Sequence, residues 1–188
     1  MKNLKSIALA LVAFVSFATT AQTTKKVDAS KSTINWVGKK VTGSHEGTIT
    51  LKEGALIFKG KKVVGGNFTV DMTTINTTDL EGKGKANLDG HLKSDDFFGV
   101  EKFPTATLVF KSIGEKGNGV YAVTADLTIK GKTESIKFDL TVAGNTASTT
   151  LKVDRTKYDI KYGSGSFFSD LGDKTIYDDF DLTVKLVF

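Results

Sequence analysis

Apolar and polar residues alternate with period two along most of the chain. Over residues 121–129 the apolar set is Tyr121, Val123, Ala125, Leu127 and Ile129, with Thr124, Asp126 and Thr128 between them. Residues 136–142 repeat this with Ile136, Phe138, Leu140 and Val142, and residues 180–188 with Phe180, Leu182, Val184, Leu186 and Phe188. Weaker alternation runs through 33–37, 48–51, 56–58, 68–72, 106–110 and 149–153. A period of two marks a strand with one dry and one wet face. The pattern predicts about eight or nine such strands. Parallel strands covered on both faces would read as unbroken apolar runs, so the sheet is antiparallel. Glycine-rich stretches at Gly65-Gly66, 114–119 and Lys130-Gly131-Lys132 suit turns between neighbours. Eight strands can close around a filled core or around one small ligand. Alternation alone does not choose between a barrel and a sandwich.

The alternation fails in three places. Residues 79–102 read as an excursion with one or two short helical turns, which Leu88, Leu92 and Phe97 or Phe98 would pack against a barrel end. Residues 161–179 form a second excursion, rich in aromatics at Tyr162, Phe167, Phe168 and Tyr177. Connections this long in a compact domain are usually functional or locally structured. The third place is the start. Lys2 and Lys5 precede an apolar or small run over residues 7–18, and then Thr19-Thr20-Ala21. That order is the basic, apolar and small-residue signature of a secretory signal. The run is shorter than the roughly 20 residues a membrane span needs. Residues 1–21 are therefore expected to be a leader and residues 22–188 one exported domain, periplasmic or secreted.

Composition narrows the chemistry. The 188 residues include no Cys and two His, His45 and His91, so no metal set, thiol nucleophile or cofactor is expected. The formal charge of +5 falls to about +3 without Lys2 and Lys5. The lysines are scattered and Arg155 is the sole arginine, so nucleic acid is not an expected partner. Gly131-Lys132-Thr133 ends like a phosphate loop, but Asp126 stands where that motif needs its first glycine. Ser44-His45-Glu46 sets triad residue types side by side, yet adjacent strand residues face opposite ways. The aspartates at 170, 173, 178, 179 and 181 lack calcium-loop spacing.

Three segments in order carry a resemblance. Asp89-Gly90-His91-Leu92-Lys93-Ser94-Asp95-Asp96-Phe97-Phe98 leads to Phe103-Pro104-Thr105. Ala125-Asp126-Leu127-Thr128-Ile129-Lys130-Gly131-Lys132-Thr133 follows, then Val153-Asp154-Arg155-Thr156. With Ile34-Asn35-Trp36 and His45-Glu46-Gly47, this ordered set resembles the YceI-like family of exported lipid-binding proteins. Ala125 and Ser135 depart from that family's usual glycine and proline, and Lys83 and Lys85 stand where arginine is common. The resemblance implies an all-β fold: an antiparallel, lipocalin-like β-barrel of about eight strands with a short helical excursion near 79–102. It also implies a long isoprenoid-type or similar amphiphilic lipid in an apolar tunnel, and transient contact with a membrane surface. No catalytic residue is carried over, and the oligomeric state stays open.

Under that resemblance Trp36, Phe58, Phe68, Phe110, Phe138 and Leu140 are the tunnel candidates; without it the same residues are core filler. His45, His91, Leu92, Phe97, Phe98, Asp126 and Arg155 are the candidates for the mouth or a headgroup contact. Arg155 has two readings: bidentate contact with a carboxylate or phosphate headgroup, or a structural pair with Asp126, Asp154 or another strand's carboxylate. His91 is either a packing residue or a headgroup contact. A small outer-membrane barrel, which would point its apolar face outward, and an enzyme acting on an amphiphile are the competing readings.

Overall fold

The structure, a computed structural model, describes residues 21–188; the leader reading lies outside the described residues. Nine strands form one antiparallel sheet: β1 Gln22–Lys26, β2 Thr33–Lys40, β3 Gly43–Lys59, β4 Lys62–Thr77, β5 Thr105–Gly117, β6 Val120–Ile129, β7 Lys132–Ala143, β8 Thr146–Asp154 and β9 Ile176–Val187. Strands β2 to β9 pair in sequence, and β9 returns to β2, closing an eight-stranded barrel. The additional strand β1 extends the β2 edge by pairing Gln22–Lys26 with the far end of β3. This is the predicted barrel, with every ladder antiparallel. Alternation missed β1 because its residues are mostly exposed and polar.

Strand β6 follows its alternation without a break: Tyr121, Val123, Ala125, Leu127 and Ile129 are buried, and the residues between them are half-buried. Strand β3 does not. His45, Gly47, Ile49 and Leu51 share one face, and then Leu56 and Phe58 take it over. The register against β4 shifts between Leu51 and Glu53. A bulge there inserts one residue and flips the parity, which is why the pattern read as two short strands where one of 17 residues runs through. Gly65-Gly66 is not a turn but lies inside β4, where a Cβ on Gly66 would press to 2.9 Å from the Phe110 ring. Two of the two-residue hairpins turn at Asn118-Gly119 and Lys130-Gly131, both residues of each pair at positive φ.

The two ends of the barrel differ. Short turns, β1 and the chain end at Phe188 close one end. There Val27, Leu56, Phe58, Val63, Val123 and Leu186 form a buried cluster, and Phe58 packs on Phe188 at 5.6 Å between ring centres. The long excursions occupy the other end. A second cluster there contains Met72, Ile75, Phe97, Val100, Leu127, Val153, Tyr158 and Ile160. Burial pushes the Tyr158 hydroxyl up to about 12. The β7–β8 ladder covers only Thr141–Ala143 against Thr146–Ser148.

The excursion at 79–102 contains one helix, α1, Gly82–Lys93. At 12 residues it is longer than the expected one or two turns. Gly84 and Gly90 each weaken a helix by about 1 kcal/mol relative to Ala, and no side chain caps its N-terminus. Docking supplies what propensity lacks. Lys85 Nζ donates to Asn76 Oδ1 (2.6 Å), to the Thr77 carbonyl (2.6 Å) and to Asp89 Oδ2 (2.8 Å). The Thr77 amide in turn donates to Asp89 Oδ1 at 2.8 Å. Burial raises the Asp89 pKa, but the donors from Lys85 and Thr77 outweigh it and hold the carboxyl below its ordinary value. Its contribution is therefore complete above the unfolded value of about 3.9 and is lost as pH falls through the lower folded value. Asp89→Ala is expected to cost about 2 kcal/mol in urea denaturation. It should also release the Thr77 amide, which donates to Asp89 Oδ1, to hydrogen exchange at neutral pH.

Candidate functional site

Six half-buried residues lie between the two clusters and touch both: Ile49, Val70, Leu108, Ile136, Phe138 and Leu182. Their alternation points them inward, yet they are not fully buried. All but Ile136 face a void. An enclosed core would bring such side chains to close packing. The barrel is thus closed at the end bearing β1 and hollow from its waist to the end bearing α1.

The void is a cavity of about 360 Å³, within the roughly 300–1,000 Å³ range of ligand pockets. Every barrel strand from β2 to β9 contributes to its wall, which is almost wholly apolar. Of the tunnel candidates, Trp36, Phe68, Phe110, Phe138 and Leu140 line it. Phe110 links Phe68 and Phe138 through ring contacts of 5.6 and 5.9 Å. Phe58 does not line it; it faces inward but lies in the closed-end cluster. Trp36 fits because its register partner on β3 is Gly47. A methyl at Gly47 would run into the Asn76 carbonyl and come within 2.5 Å of the Trp36 ring.

Polar groups gather at the end bearing α1. His45, His91, Leu92, Phe97, Phe98 and Arg155 all border the cavity there. His45 Nδ1 lies 2.8 Å from Asp79 Oδ2, which ties β3 to the chain entering α1. His91 sits between Tyr162 (4.5 Å) and Phe97 (5.1 Å), with its buried Nε2 unpartnered. Phe98 meets Phe180 edge-on at 6.3 Å. Asp126 is not brought to this site. Ala125 and Leu127 occupy the inner face of β6, so Asp126 points outward and pairs with Lys111 at 3.3 Å.

Arg155 is 2% exposed, and its partners are mostly backbone. Nε donates to the Tyr177 carbonyl (3.1 Å), Nη1 to Ile160 (2.8 Å) and Nη2 to Ile176 (3.0 Å). Its nearest carboxylate is neither Asp126 nor Asp154 but Asp178 on β9, 3.7 Å away. Burial pushes Asp178 up, but the Ser164 and Ser166 hydroxyls and Arg155 outweigh it, so it stays below the usual carboxylate range. The guanidinium also lies 5.5 Å over the Phe97 ring. Arg155 therefore holds the start of β9 and the turn after β8 beside the mouth.

Sequence reasoning did not single out Ile49, Val70, Leu108, Phe180, Leu182 or Asp178. All but Asp178 stood on the apolar face of a recognised alternating stretch. Asp178 shares the parity of Phe180 and Leu182 but does not border the cavity; it faces Arg155 and Ser166, contacts that no residue pattern announces.

The outer surface is charged. Lys62–Glu115, Lys116–Asp139, Lys39–Asp181 and Lys152–Asp181 pair across strands at 2.6–3.0 Å. That is the reverse of a membrane-spanning barrel, whose outward band is apolar.

Comparison with known proteins is consistent with this geometry. The sequence profile of the YceI-like domain matches residues 26–188. A UPF0312 protein of Shewanella denitrificans is 38% identical over 84 residues, 45% of this chain and 42% of that protein. The chain spans about two fifths of the length of the curated relatives it matches. Among solved structures, BcnA of Burkholderia cenocepacia superposes with a TM-score of 0.65 at 26% identity, covering 86% of this chain and 99% of BcnA. A polyisoprenoid-binding domain from Saccharophagus degradans, described as implicated in plant cell wall breakdown, gives 0.58 at 15% identity over 86% of this chain and 95% of that one.

Proposed function

Because the chain belongs to the YceI-like domain family, we propose that it binds a long-chain amphiphile, isoprenoid-type or similar, inside its barrel and serves as an exported carrier or sequestering protein. The hollow waist is the observation that carries this reading. Inward apolar residues at Ile49, Val70, Leu108, Phe138 and Leu182 line the cavity and leave apolar surface that a hydrocarbon chain would cover. Each buried CH₂ contributes about 0.8 kcal/mol. A chain of a dozen such groups therefore gains roughly 10 kcal/mol before the cost of association. The tail would run toward the closed end and the polar group would stay at the mouth near His45 and His91. The polyisoprenoid-binding neighbour supports the isoprenoid class, and the basic-then-apolar opening of residues 1–21 supports export to the periplasm or beyond.

Trp36, the sole tryptophan, stands on the cavity wall and gives a direct readout. Titration with a long-chain polyprenol is expected to produce a saturable blue shift of its emission as hydrocarbon replaces water beside the ring. An unchanged emission at all polyprenol concentrations would overturn the reading.

A further inference from the structure

We propose that the rim of the mouth docks on a zwitterionic phospholipid bilayer, with Phe167 and Phe168 as the anchors that enter it. The proposal rests on the cavity taking its amphiphile from a membrane.

Seven large hydrophobic residues are exposed among the described residues: Val41, Val64, Val109, Tyr162, Phe167, Phe168 and Tyr177. Five of these, Val41 and the four aromatics, lie at the mouth end. Val41 joins the aromatics through its amide, which donates to the Thr175 carbonyl at 3.1 Å. An apolar group concentrated at one place on a charged surface marks an interaction site.

The two phenylalanines are held outward by a fixed backbone. Ser164 is completely buried, and its carbonyl accepts from the amides of both Phe167 (3.2 Å) and Phe168 (3.0 Å). The Gly163 carbonyl accepts from the Ile176 amide at 2.8 Å, and Ser166 Oγ donates to Asp178 Oδ2 at 2.5 Å. The segment is thereby tied to β9, with the two rings 49% and 51% exposed.

This patch is continuous with the cavity. Tyr177 is 50% exposed and also borders the cavity; Tyr162, 48% exposed, packs at 4.5 Å on His91, which borders it too. An amphiphile leaving a bilayer against this rim would pass from one apolar surface to another, without exposing its tail to water at about 0.8 kcal/mol per CH₂. Tyrosines with an apolar body and polar tip suit the headgroup level.

The charges select the lipid. Lys161 lies 5.0 Å over the Phe167 ring, but its ammonium is paired with Asp159 at 2.8 Å. Lys174 has Asp170 and Asp173 near it in sequence. The rim has no basic excess of the kind that recruits proteins to anionic lipid, so its attraction to a bilayer is apolar.

Flotation with phosphatidylcholine vesicles, with and without phosphatidylglycerol, tests this. The protein is expected to float equally with both and to stay bound at high salt. The double variant F167S/F168S should lose at least tenfold in partitioning, the effect of leaving two half-exposed rings in water. Its melting temperature and its uptake of polyprenol from solution should not change. Binding only to phosphatidylglycerol and released by salt would overturn the proposal. So would F167S/F168S floating like the parent, or a concentration-dependent dimer that the variant abolishes while neither protein floats. Phe-dependent flotation of a protein that takes up no polyprenol would sustain the docking surface and overturn only the carrier reading.

Discussion

Placing phenylalanine at both Val70 and Leu182 is expected to lower affinity for a long-chain polyprenol by about a hundredfold and to leave the fold at least as stable. These residues stand on β4 and β9, three strands apart around the barrel, and both belong to the half-buried waist. Two larger rings there would narrow the passage between the mouth and the closed end. Excluding about four CH₂ groups beyond the constriction forfeits about 3 kcal/mol, or two decades in affinity. The stability result is as informative as the binding result. In a filled core the same insertion would cost about 1–3 kcal/mol through overpacking, whereas in a hollow one the new rings meet empty space. Polyprenol titration and thermal melting of the same V70F/L182F sample separate the two cases.

Arg155→Met should destabilise the protein by about 3–5 kcal/mol, the usual cost of leaving a buried charge partner alone. The change strands the carbonyls of Ile160, Ile176 and Tyr177 and leaves Asp178 without its cation. For a domain of this size the melting temperature should fall by roughly 10 °C. Arg155→Lys should recover less than half of this, because one ammonium cannot reproduce a planar fork serving three carbonyls. A headgroup-binding arginine would behave differently: melting would barely move and polyprenol affinity would fall.

Much of the barrel was legible in the alternation, and its failures have physical causes. The parity that put Ala125 and Leu127 inside already put Asp126 outside. A single bulge after Leu51 hid the continuity of β3, because one inserted residue exchanges the two faces. The place of helix α1 was legible but its length was not: its glycines argue against a long helix, and the Lys85 and Asp89 contacts that hold it are tertiary. The cavity wall was partly legible. Periodicity shows that Phe58 and Phe138 both face inward, but not how far each lies along the barrel axis. One ends in the closed cluster and the other at the waist. Arg155 stood out by being the sole arginine, yet its partners are backbone carbonyls, which no residue-type pattern announces.

The hollow waist is the centre of this account, and the most direct measurement is organic-solvent extraction of the purified protein followed by mass spectrometry. The account predicts a long-chain amphiphile near one molecule per protein chain, greatly reduced in V70F/L182F. An extract without any amphiphile, together with no uptake of added polyprenol, would contradict it.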